Sequence, residues 1–93
     1  MPNTKSAMKA LRVAERRRRR NQPIRSGARR AVRKALAAIQ SGDLEAARQA
    51  VVNAVSKLDR AVTKGVLHWR NAARRKSRLM QKFNRALSQQ SAS

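Results

Sequence analysis

Electrostatic charge limits what this chain can fold into. Its 93 residues carry 24 Lys and Arg against four Asp and Glu, a formal net charge of +20. Self-repulsion on that scale opposes compaction. The cations are also segregated. Residues 1–30 hold eleven of them with a single acid, Glu15, and residues 66–87 hold seven with none. Between these segments, residues 43–64 are close to balanced, with Arg48, Lys57, Arg60 and Lys64 set against Asp43, Glu45 and Asp59. A polyanion that neutralises the excess would meet the two basic segments, leaving the balanced one to face water.

The length allows one domain with a modest core. The absence of cysteine removes disulfide and thiolate chemistry and is compatible with a reducing cytoplasm. No apolar run approaches the roughly 20 residues that span a bilayer, and the start lacks the apolar stretch of a secretory signal. An Arg- and Ser-rich, acid-poor start also fits an organelle transit peptide, but residues 16–20 are basic on every side and offer a membrane no apolar face. Of the 24 cations, 17 are Arg. The guanidinium fork makes paired hydrogen bonds to phosphate and stacks on bases, whereas Lys acts as a hydrated point charge. A GC-rich genome raises Arg usage everywhere, yet does not produce segregation.

Punctuation is sparse: Pro2, Pro23, Gly27, Gly42 and Gly65 are the only Pro and Gly residues. Gly42 can take the left-handed conformation that ends a helix, and Asp43 can cap the next one. Lys64 and Gly65 repeat the stop. Between these marks apolar residues recur at helical spacing. Ile24, Ala28, Val32, Leu36 and Ile39 form one stripe. Leu44, Ala47, Val51, Ala54, Val55, Leu58 and Val62 form a second, and Ala72, Leu79, Met80, Phe83 and Leu87 a third. Short connections between three such stripes predict an all-α, antiparallel three-helix bundle over 24–40, 43–64 and 67–87, with a frayed polar tail over 88–93. Residues 4–22 differ. Ala7, Met8, Leu11 and Ala14 begin a stripe that dissolves into Arg16–Arg17–Arg18–Arg19–Arg20. This predicts a long basic N-terminal helix that extends beyond the bundle and orders only among phosphates, with a kink or break near Asn21 and Gln22 ahead of Pro23.

One histidine, four acids and no cysteine leave nothing to build an enzyme or a metal site, so no cofactor and no small-molecule substrate are expected. The third stripe instead faces away from a ridge of Asn71, Arg74, Arg75, Arg78, Lys82 and Arg85. Such a ridge suits backbone phosphates and salt-sensitive binding; a solvated face built for solubility would mix signs. His68 reads as a capping or hydrogen-bonding residue. Trp69 could stack on an exposed base or cover the top of the bundle, and its neighbours in sequence do not choose between the two.

The run from Asp59 through Lys64–Gly65, His68, Asn71, Ala72–Ala73–Arg74 and Lys76–Ser77–Arg78–Leu79 resembles the third-helix motif of the family of the twentieth protein of the bacterial small ribosomal subunit. The opening Asn3–Thr4–Lys5–Ser6–Ala7–Met8–Lys9 resembles the family's start, and Ile39–Gln40–Ser41–Gly42–Asp43 its first turn. The resemblance runs from about residue 3 to 87. It implies a cytoplasmic component of the small subunit that binds 16S ribosomal RNA early in assembly, through a long first helix inserted among RNA stems. It carries RNA contact to Lys5, Ser6, Lys9, His68, Asn71, Arg74, Lys76, Ser77 and Arg78. The basic segments add Arg12, Arg16, Arg17, Arg18, Arg19, Arg20, Arg25, Arg29, Arg30, Arg33, Arg70, Arg75 and Lys82. Two positions depart from the family pattern: Trp69, where a basic residue is usual, and Pro23, inside a first helix that is commonly continuous. Neighbouring small-subunit components are the other expected partners, and no membrane is expected. The competing reading is a nucleoid-type DNA-compacting protein, which would also be basic, helical and devoid of catalytic groups but would bind duplex DNA as well as RNA. A membrane-active cationic peptide would need a wide apolar face on its most basic segment, and residues 16–20 have none.

Overall fold

A computed structural model describes residues 4–92, with side chains through Gln90. Asn3, at the start of the family-like opening, and Ser93, the last residue of the expected tail, lie outside the described residues. Helix α1 spans Lys5–Ser41, α2 Leu44–Thr63 and α3 Trp69–Ala92. The caps follow from local chemistry. Thr4 is extended and its hydroxyl accepts the Ala7 N–H at 3.1 Å, opening α1. Gly42 ends α1 at φ 84°. Asp43 then accepts the Ala46 N–H at 3.2 Å and opens α2, with Glu45 in the first turn and Arg60 in the last, each matched to the helix dipole. Beyond Lys64, Gly65 at φ 72° lets its own N–H reach the Val62 carbonyl and the Val66 N–H reach Ala61, both at 2.9 Å. This paired bonding satisfies the last carbonyls of α2 and tucks Val66 into the core.

The core is small and made largely of alanine. Among the described residues, Ala28, Ala31, Ala35, Ala47, Ala54, Ala61 and Ala72 are buried together with Val51, Leu58, Val66, Leu79 and Phe83. Small side chains let helix backbones approach closely. They bury little area each, so most of the apolar stabilisation comes from Leu58, Leu79 and Phe83, with half-buried Val32, Leu36, Ile39 and Leu44 around them. The buried line of α1 is Ala28, Ala31 and Ala35, one step round from the stripe read by periodicity, whose Val32, Leu36 and Ile39 form its flanks. On α3 the buried line narrows to Ala72, Leu79 and Phe83. Met80 and Leu87, expected on that face, are 42% and 39% exposed; Met80 is turned about 100° from Leu79 along the helix.

The helices pack unequally. The α1–α2 seam is the most extensive, α2–α3 is next, and α1 and α3 meet least, leaving an open groove between them. Among the described residues none before Ala28 is buried, and residues 5–22 of α1 project as an arm. The molecule measures 68 × 21 × 19 Å, and its radius of gyration of 18.2 Å far exceeds the roughly 12 Å of a compact domain this long.

Two expected boundaries differ. α1 is one helix, not separate pieces over 4–22 and 24–40, and it runs through Pro23. A single proline deprives only the Arg19 carbonyl of its donor, and Pro23 is exposed, where water can fill that place. The segment 88–93, expected as a frayed tail, is helical through Ala92. There the Gln90 side chain donates to the Gly42 carbonyl at 3.4 Å, tying the end of α3 to the α1–α2 turn.

The tightness of the alanine seam is testable. Ala47 is fully buried, so Ala47→Leu overpacks the α1–α2 contact and costs about 1–3 kcal/mol. Urea unfolding followed by circular dichroism measures this, with Val52→Ala, at a 65% exposed position, as the near-neutral control. Equal midpoints for the two variants would show that the seam is loose.

Candidate nucleic-acid interface

The candidate residues fall on two surfaces. The first is the arm, where Lys5, Ser6, Lys9, Arg12, Arg16, Arg17, Arg18, Arg19 and Arg20 are all exposed. At about 100° per residue, five successive arginines point to every side of the helix. An all-round cation fits between several phosphate backbones better than against one. Glu15 organises part of it. Its carboxylate accepts from Arg18 at 2.9 and 3.2 Å and from Arg19 at 3.2 Å. The Arg18 hydrogen bonds, then its charge, hold the Glu15 carboxyl below the usual carboxylate range. Arg20 donates to the Asn21 side chain at 3.2 Å.

The second surface is the α1–α3 groove, formed by three successive hollows of about 350, 390 and 690 Å³. Arg25, Arg29 and Arg33 rim it from α1, while Asn71, Arg74, Arg75, Arg78 and Lys82 rim it from α3, with His68 at one end. The floor is apolar: Ala28, Leu58, Val32, Leu36 and Leu79. No acid lines any of the three hollows. Along α3 the cations from Arg70 to Arg85 span about 22 Å at 1.5 Å per residue. Arg85, outside the candidate RNA set, lines the far hollow; its spacing of three from Lys82 was the available signal. Arg30, Arg70 and Ser77 are exposed but lie outside the lining of these hollows.

Lys76 stands apart. Its ammonium binds Asp59 of α2 at 2.7 Å, with the two side chains 35% and 54% exposed. A partly exposed pair like this contributes at most about 1 kcal/mol, but it fixes where Lys76 points, across the α2–α3 seam. Asn71 accepts from Arg75 at 3.3 Å and steadies that guanidinium on the rim. His68 caps α3: its Nδ1 accepts the Arg70 N–H at 3.1 Å, which puts the ring proton on outward Nε2 as a donor. Trp69 does not cover the bundle, since the residue is 60% exposed.

Among the described residues no polar or charged side chain is buried and no cluster of His, Asp or Glu could hold a metal. No helix is long and apolar enough to cross a membrane. An open cationic groove beside an all-round cationic arm is a surface of the charge and shape that suit phosphate backbones. The comparisons give the family. The family model described as Ribosomal protein S20 matches residues 2–84. The chain is 58% identical to the small ribosomal subunit protein bS20 of Thermomicrobium roseum over 84 residues, 90% of this chain and 85% of that one. It is 51% identical to the bS20 of Dehalococcoides mccartyi over 86 residues, 92% and 98% of the two chains. It is 46% identical to that of Shouchella clausii over 84 residues, 90% and 96%. The chain belongs to the ribosomal protein S20 family and is a structural ribosomal protein, not an enzyme.

The Glu15 cluster gives a pH prediction. Because its pKa is lowered in the helix, its support for the arm is present above the unfolded carboxylate value and is lost as pH falls through the lowered one. Carbon-detected NMR titration in trifluoroethanol, which holds the arm helical, should place the Glu15 midpoint below that of an ordinary glutamate in the same solvent, and Arg18→Ala should return most of the difference. An unchanged midpoint in the variant would assign the shift to the general positive field.

Proposed function

We propose that this protein binds 16S ribosomal RNA directly and stabilises its fold during assembly of the small subunit in the cytoplasm. One observation carries the reading: the α1–α3 groove is rimmed by cations on both sides and free of acids along its length. Sequence-independent phosphate contact of this kind gives affinity and orientation. The family and the names of its relatives supply the setting, the small ribosomal subunit. Arg25, Arg29, Arg33, Arg74, Arg75, Arg78 and Lys82 hold one RNA segment. Lys5, Lys9, Arg12 and residues 16–20 penetrate between others, with Ser6 and Ser77 as neutral donors.

Arg74 and Arg78 line the groove while Leu79 and Phe83 pack, so Arg74→Ala with Arg78→Ala should weaken binding and leave helicity intact. Losing two phosphate contacts flattens the log–log salt slope by about 1.8 units on duplex-like charge density and about 1.4 on single strands. Competition between equal masses of ribosomal RNA and duplex DNA completes the experiment. Preferential retention on ribosomal RNA supports the reading; equal retention supports the nucleoid-type alternative.

The arm folds on binding. None of its described residues is buried, and its side-chain hydrogen bonds are the Thr4 cap and the Glu15 and Asn21 pairs. Ordering costs about 1–2 kcal/mol of backbone entropy per residue, which phosphates must offset. Amide hydrogen exchange should be fast through residues 5–22 in the free protein and slow in the RNA complex. Slow exchange through residues 16–20 without RNA would mean that the helix is preformed.

A further inference from the structure

We propose that Trp69 is a stacking platform for an unpaired RNA base, the one contact in this protein that distinguishes single-stranded from paired RNA. The inference rests on the RNA-binding reading and deepens it. Trp69 is the first residue of α3 and is 60% exposed, whereas Phe83 is buried in the core. An indole left in water has a cost that no packing in the bundle offsets. Its setting is built from both neighbours. The His68 ring stacks on it with centroids 5.7 Å apart and 29° between planes, and the Arg70 guanidinium carbon lies 5.5 Å from its centroid. The His68 hydrogen bond to the Arg70 N–H holds this group at the start of α3, so the indole is oriented before any ligand arrives.

The surroundings select the ligand. His68 also lines the cleft of about 350 Å³ whose rim carries Arg25, Arg29 and Arg75. A strand whose phosphates enter that cleft places its next base beside the indole. Paired bases present only edges and phosphates to a protein, whereas an unpaired base can swing out and offer its π-face. Stacking tolerates any base, so the platform reads strandedness and not sequence.

Trp69 is the only Trp in the chain, so intrinsic tryptophan emission reports this site alone. The probes are an RNA hairpin with a single bulged adenosine and the same stem fully paired. Stacking quenches the emission on the bulged hairpin and leaves it nearly unchanged on the paired stem. Trp69→Ala should weaken binding to the bulged hairpin by about 5- to 150-fold, the equivalent of one base stack, without altering affinity for the paired stem. Trp69→Phe should restore most of the loss. Circular dichroism confirms that the exposed substitution leaves the helices in place. Equal affinity of wild type and Trp69→Ala for the bulged hairpin would overturn the platform while leaving groove binding to RNA intact. Failure of the wild type to bind either RNA in a salt-dependent way would instead remove the RNA-binding reading itself. An emission change seen only in assembled subunits, with none on RNA, would put a protein against the ring and overturn the proposal as well.

Discussion

Repulsion among the cations is the constraint to which every other feature answers. With a net charge of +20 on 93 residues, a compact globule would force guanidinium groups together at short range. The fold spreads them instead. The arm carries its cations into solvent, no acid of α2 lines the groove, and the cations of α1 and α3 face each other across it. Four acids serve as local brakes. Glu15 gathers Arg18 and Arg19, Asp59 holds Lys76, Asp43 caps α2, and Glu45 stands in its first turn.

The same constraint explains the alanine-rich core. Three short amphipathic faces cannot enclose a wide apolar interior when their opposite faces must stay hydrated. Alanine lets α1 and α2 close tightly over a narrow seam, and the larger side chains Leu58, Leu79 and Phe83 fill the space where α3 arrives. Ala72, Leu79 and Phe83 hold α3 along its length, and its two ends are tied down as well. Val66 and the Gly65 turn anchor its start, and Gln90 reaches back to the Gly42 carbonyl at its finish.

The helical bundle and its extended first helix were legible because apolar residues recur at three and four, and because glycines stand at the two turns that need positive φ. Alanine was the weak letter in that reading. Ala31, Ala35 and Ala61 are buried, yet alanine's small apolar area leaves little periodic signal beside Val32 and Leu36. At Pro23 the helix does not break, since propensity weighs a single missing donor without knowing that water can replace it. The basic ridge on α3 was visible by spacing alone, but its pairing with Arg25, Arg29 and Arg33 across a groove was not, because the α1–α3 register is a tertiary fact. Lys76 shows the reverse limit: it came from the Lys76–Ser77–Arg78–Leu79 run of the family pattern, and the structure turns it to Asp59 across the α2–α3 seam, away from the rim.

One continuous backbone joins the arm to the groove. Thirty-seven residues of helix make a strut about 55 Å long at 1.5 Å per residue. For a chain that grips RNA at both ends, that strut acts as a gauge. Once the groove is seated, the arm is tethered beside its own RNA segment, which raises its effective concentration there, and the strut becomes rigid as the arm orders on phosphates. Two stretches of RNA held this way are set at a distance fixed by the count of residues between the grips, so lengthening or shortening α1 by seven residues would move them by about 10.5 Å and turn one grip against the other by only about 20°.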